Sequence, residues 1–94
     1  MAHKDRIHSL IKDISGELLQ YVKEQESNFS DRWVPAAQIR RDLELDFVAV
    51  PKANKQYGPK GWLFAIITRM LEDLQLIEYK KSGSRTYYRT IKHP

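Results

Sequence analysis

Ninety-four residues with 41% apolar side chains support one small domain and a single modest core over 1–94, with residues 1–4 and 92–94 expected as flexible ends. No apolar run approaches the roughly 20 residues that cross a bilayer, which argues against a membrane partner. The first residues, Met1 to Arg6, lack the apolar stretch of a signal peptide. The absence of cysteine removes disulfide scaffolds, thiol nucleophiles and cysteine zinc sites, and fits a reducing, cytoplasmic setting. The net charge of +4 is unevenly spread. Residues 1–50 hold seven Lys/Arg against nine Asp/Glu, whereas residues 51–94 hold nine against three, a local balance of +6. That asymmetry suits a surface facing a polyanion; solubility alone is the blander alternative.

Along the chain, Ile7, Leu10, Ile11, Ile14, Leu18, Tyr21 and Val22 recur at helical spacing and predict a first helix over roughly 5–25 with one buried face. Gly16 inside it costs on the order of 1 kcal/mol relative to alanine, so a kink or a close packing contact is expected there. Residues 26–31 are turn-forming and polar apart from Phe29, and Arg32-Trp33-Val34 reads as a short extended segment. Pro35 suits the first position of a short second helix, with Ala36, Ile39 and Leu43 on its apolar side and its end near Glu44.

Residues 46–61 hold two prolines, two glycines, three lysines and Tyr57. They read as a mobile basic loop, in which Phe47 to Val50 form a strand or a segment tucked against the core. Gly58-Pro59 sets the turn into the next helix. A connection this long is often functional.

Leu63, Ile66, Ile67, Met70, Leu71 and Leu74 predict a third helix beginning at Trp62. With that stripe inward, Gly61, Trp62, Ala65, Thr68, Arg69 and Glu72 form the outward arc. The period changes at Gln75. Two runs rich in β-branched and aromatic residues follow, joined by Ser82-Gly83-Ser84, a three-residue hairpin loop. Tyr87 and Tyr88 point to opposite faces, so at least one of Tyr79, Tyr87 and Tyr88 is exposed.

The expected fold class is α+β, a winged helix: a three-helix core, a short strand before helix 2 and a C-terminal β-hairpin wing. Residues 7–91 resemble the winged helix-turn-helix DNA-binding superfamily. Locally, Thr68 to Tyr79 followed by Ser82 to Arg89 looks like the recognition-helix end and wing of the arsenical-repressor and multiple-antibiotic-resistance-repressor families. The chain departs from them upstream, because those families join helices 2 and 3 by a tight turn where this one inserts residues 46–61.

The resemblance implies duplex DNA as partner, with the third helix in the major groove and the wing on the backbone, in a small transcription regulator or a DNA-reading module. Arg69 then pairs with a guanine or clamps a phosphate, Thr68 meets a phosphate or a thymine methyl, and Ala65 permits close approach. Trp62 stands at the helix entry, where Lys60 meets the backbone. Lys80, Lys81 and Arg85 converge at the wing tip on phosphates, Arg40 touches flanking backbone, and Lys55 adds charge from the basic loop. The plain alternatives are a solvated Arg69, a core-edge Trp62, and lysines that protect exposed strand edges.

Composition does not separate DNA from RNA, nor a homodimer from a module of a larger parent protein. The rival reading is a protein-interaction winged helix that docks a partner through Trp62, Phe64 and Tyr57 or through the first helix. Catalysis finds no support. His3, His8 and His93 lack metal-ligand spacing, Glu72-Asp73 has no nucleophile beside it, and no metal or cofactor is expected.

Overall fold

The apolar periodicity of the first 25 residues produces α1 (Ala2–Gln25), longer at its start than the expected helix. The computed structural model describes residues 1–46, 50–52, 55–57 and 61–92, with the backbone alone at 50–52 and 55–57. Only the second half of α1 is covered. Leu18 and Val22 are buried, while Ile7, Leu10 and Ile14 are 56%, 51% and 45% exposed, contrary to a fully buried face. Gly16 makes no close contact either, since a Cβ there would meet nothing within 4 Å, and the helix runs through it unbroken.

Two 3₁₀ turns (Glu26–Asn28 and Ser30–Arg32) replace the start of the expected extended segment. They lead into β1 (Val34–Pro35) and α2 (Ala36–Asp42). Pro35 is not the first helical residue but the one before it, with ψ 133° and strand pairing to Tyr87. Its fixed φ suits both roles.

Both α2 and α3 (Trp62–Asp73) end by turning one residue left-handed: Glu44 at φ 52° and Gln75 at φ 59°. The amides of Leu45 and Leu76 then reach back to the carbonyls of Arg40 and Leu71, at 2.8 and 2.9 Å. These six-to-one bonds satisfy carbonyls that a helix end would leave open.

Segment 46–61 has structure of its own, which corrects the loop expectation. β2 (Val50–Lys52) pairs antiparallel with β3 (Lys55–Tyr57), Val50 opposite Tyr57 and Lys52 opposite Lys55. The expected packing of Phe47, the Gly58-Pro59 turn, the role of Lys60 and the end at His93 lie outside the described residues, as do the side chains of Lys55 and Tyr57.

The wing is β4 (Ile77–Ser82) and β5 (Arg85–Thr90), and β5 sits between β1 and β4 in a three-stranded sheet. Its loop is two residues long rather than three, because Ser82 pairs with Arg85. Gly83, at φ 64°, takes the first loop position, where a two-residue hairpin with a positive φ favours glycine.

One core joins these parts: Leu18, Val22, Val34, Ala36, Ile39, Phe64, Ile67, Leu71, Ile77 and Tyr88. Ile39, Leu71 and Ile77 are almost fully buried, each contributing about 2 kcal/mol by transfer from water. Glu26, itself buried, ties the end of the wing to the helices. Its Oε2 accepts bonds from the Thr90 amide at 2.5 Å, the Thr90 hydroxyl at 2.8 Å and Arg32 at 3.3 Å. Three helices, a short strand before α2 and a C-terminal antiparallel hairpin make this a winged helix, with an added hairpin between α2 and α3.

Candidate nucleic-acid interface

The orientation of α3 decides which side chains reach outward. Phe64, Ile67, Thr68 and Leu71 face the core, and Phe64 meets Tyr88 edge-to-face with ring centroids 5.7 Å apart. The helix is therefore rotated from the expected phase. Ile66 and Leu74, expected inward, are 52% and 63% exposed.

Thr68, expected as an outward contact, is 2% exposed, and its hydroxyl donates to the Phe64 carbonyl at 2.8 Å. Its short side chain satisfies its own polar group against the preceding turn, so it can sit in the core. Ala65 and Arg69 do face outward, joined by Ile66 and Asp73, while Trp62 is half-buried at the helix entry. Gly61 before it holds φ 73°, and a Cβ there would stand 3.2 Å from Asp46 Oδ1.

Arg69 pairs with Asp73 at 3.4 Å, both side chains being about three-quarters exposed. Such a pair contributes little, and the basic-before-acidic order is the weaker one along a helix. Arg69 is thus free to exchange Asp73 for a stronger anion. Glu72 and Asp73 nevertheless make the C-terminal turn of α3 acidic, so the positive charge beside Arg69 comes from the wing.

The pleat of the wing separates its charges. Tyr79, Lys81, Thr86 and Tyr88 lie on the side that meets α3, where with Arg69 and Glu72 they line a groove of about 220 Å³. Lys80 lies on the opposite side, its Nζ 5.0 Å from the Trp33 ring centroid and 5.4 Å from that of Tyr87. The expected convergence of Lys80, Lys81 and Arg85 is corrected by this alternation, which leaves Lys81 on one side and Lys80 and Arg85 on the other.

Arg89 covers the same outer platform, 4.0 Å from the Trp33 centroid, bonded to Glu78 Oε1 and, at 3.0 Å, to the Asp31 carbonyl. Arg85 and Ser84 at the wing tip line a separate groove of about 340 Å³ with Pro35, Ala37 and Arg40. Arg40 itself is engaged, 3.3 Å from Asp46 Oδ1 and 5.7 Å from the Phe64 ring centroid. It fastens α2 to α3.

Burial of Tyr88 pushes its phenol above the usual tyrosine value, so it stays neutral. Tyr79 is 52% exposed and Tyr87 half-buried, in line with the expectation that the three tyrosines could not all be covered. One residue of this surface, Ile66, is not legible in the sequence as a surface residue. Its spacing from Leu63 and Met70 reads as core, whereas the stripe that is buried is Phe64, Ile67, Thr68 and Leu71, in which threonine stands at an apolar position. For the tyrosines, strand alternation requires that one be exposed, and the fold makes Tyr79 the most exposed of the three.

Among the described residues, no group of three or more His, Asp or Glu side chains could hold a metal ion. No helix among them is long and apolar enough to cross a membrane. Comparison with protein-family models, curated proteins and solved structures found no match. The likeness to other proteins therefore rests on the winged-helix architecture and does not extend to a particular repressor family.

Proposed function

We propose that this domain binds duplex DNA without catalysing a reaction, as a small cytoplasmic regulator or a DNA-reading module. The observation that carries this reading is the groove in which Arg69 of α3 and Lys81 of the wing meet, both exposed and brought together from separate elements. In this arrangement Ala65, Ile66 and Arg69 enter the major groove, where Ile66 and Ala65 suit a thymine methyl and Arg69 a guanine edge. Trp62 borders that contact. Lys81 and Tyr79 hold phosphates alongside, and Arg85, at the wing tip on the opposite side, meets the flanking backbone.

The test is titration of a labelled random duplex at several salt concentrations. With about four phosphates neutralised, log affinity falls against log salt with a slope near −3.6. A flat dependence would remove DNA as the ligand. Preference for a duplex RNA competitor would transfer the reading to RNA.

A further inference from the structure

We propose that the exposed stripe of α1 is the interface of a homodimer, in which the first halves of two α1 helices pack antiparallel. This inference rests on α1 alone and does not depend on what the wing binds. Residues 2–10 of α1 are all exposed, so its first turns project beyond the body of the domain. Among the described residues nothing caps or covers them: Met1 provides no side-chain cap, and Ile7, Leu10 and Ile14 offer their apolar side chains to water. A helix of this length is marginal without tertiary packing, particularly with β-branched residues in it.

The stripe recurs at heptad spacing, with Ile7 and Ile14 at one seam position and His3 and Leu10 at the other. It then runs from Ile14 into a groove of about 420 Å³ lined by Leu18, Leu43 and Leu63. Charge along the seam selects the occupant. On the solvent side of the stripe stand Arg6 and Asp13, one heptad apart.

In an antiparallel pair with Ile7 against the partner's Leu10, Arg6 falls beside the partner's Asp13, and Asp13 beside the partner's Arg6. The surface is complementary to itself, as a two-fold interface requires. A parallel pair would instead set Arg6 and Asp13 against the apolar or covered edge at Ile11 and Leu18. The antiparallel pair also carries the two bodies to opposite ends of the helices, leaving both wings open.

Sedimentation equilibrium of the full chain without DNA tests this. The expected mass at high concentration is twice 11.1 kDa, with a dissociation constant on the order of 10 µM. Leu10→Ser should give a monomer whose body still melts cooperatively, since Leu10 lies outside the hydrophobic core. Arg6→Asp should weaken association about tenfold by setting like charges together at both symmetric contacts. The double variant Arg6→Asp/Asp13→Arg should restore it, an outcome that a different partner or a non-specific apolar patch would not produce. A monomer at all concentrations, or a double variant no better than Arg6→Asp, would overturn the proposal.

Discussion

Lys80 and Lys81 are neighbours in sequence and opposites in space, which makes them the sharpest test of the proposed interface. Lys81 shares a groove with Arg69, whereas Lys80 lies over Trp33 and Tyr87 on the far side of the wing. Each phosphate contact on duplex DNA releases about 0.9 of a counterion. At about 0.1 M salt that release is worth 0.9RT ln 10, about 1.2 kcal/mol, or roughly eightfold in affinity. Lys81→Gln should therefore weaken binding to any duplex about eightfold and flatten the salt slope by about 0.9.

Adding Arg69→Gln should bring the loss of slope to about 1.8, slightly offset because Asp73 already engages the guanidinium. Lys80→Gln should leave slope and affinity unchanged. It should instead cost about 0.5–1 kcal/mol of stability through its two aromatic faces, a drop of a few degrees in Tm. The assay is fluorescence anisotropy on one labelled duplex across a salt series, paired with thermal melts. Equal changes of slope for Lys80→Gln and Lys81→Gln would refute the assignment of faces to function, and unchanged binding for Lys81→Gln/Arg69→Gln would remove the groove from any nucleic-acid contact.

Three further outcomes follow from the fold. Glu26→Ala leaves the buried Thr90 amide and hydroxyl without their acceptor, so it should cost about 2–3 kcal/mol and lower Tm by on the order of 10 °C; a loss under 2 °C would dismiss the clamp. Gly16→Ala should raise stability by roughly 0.5–1 kcal/mol in chemical denaturation, because the added methyl meets nothing and the helix gains propensity. The Asp42 carboxyl is held below the usual aspartate range first by the Tyr21 hydroxyl, which donates to it at 2.6 Å, and then by Arg41. A lowered folded-state value means that this bond stabilises above the unfolded pKa, about 4, and that the benefit is lost as pH falls through the folded value. Tyr21→Phe should accordingly lower Tm at pH 7 and cease to differ from the parent in strong acid.

Periodicity alone determined the element types. The change from helical spacing to alternation at Gln75, the short apolar set Ala36, Ile39 and Leu43, and glycine in the hairpin turn are local signals, and local backbone preference answers to them directly. The order helix, strand, helix, helix, hairpin was legible for that reason. The small β2–β3 hairpin was not, because Val50–Lys52 and Lys55–Tyr57 are too short to show a period and Pro51 argues against a strand.

What tertiary structure decided was rotation and coverage. α3 carries two overlapping apolar stripes, and packing of Phe64, Ile67 and Leu71 into the core, with Phe64 against Tyr88, goes with the one that buries Thr68 and exposes Ile66. α1 carries one long stripe, of which only the second half, at Leu18 and Val22, is buried among the described residues. Ile7, Leu10 and Ile14 look like core in sequence and stand in water in the fold. A stripe states that a face is apolar, and it takes the placement of every other element to state what, if anything, lies against it.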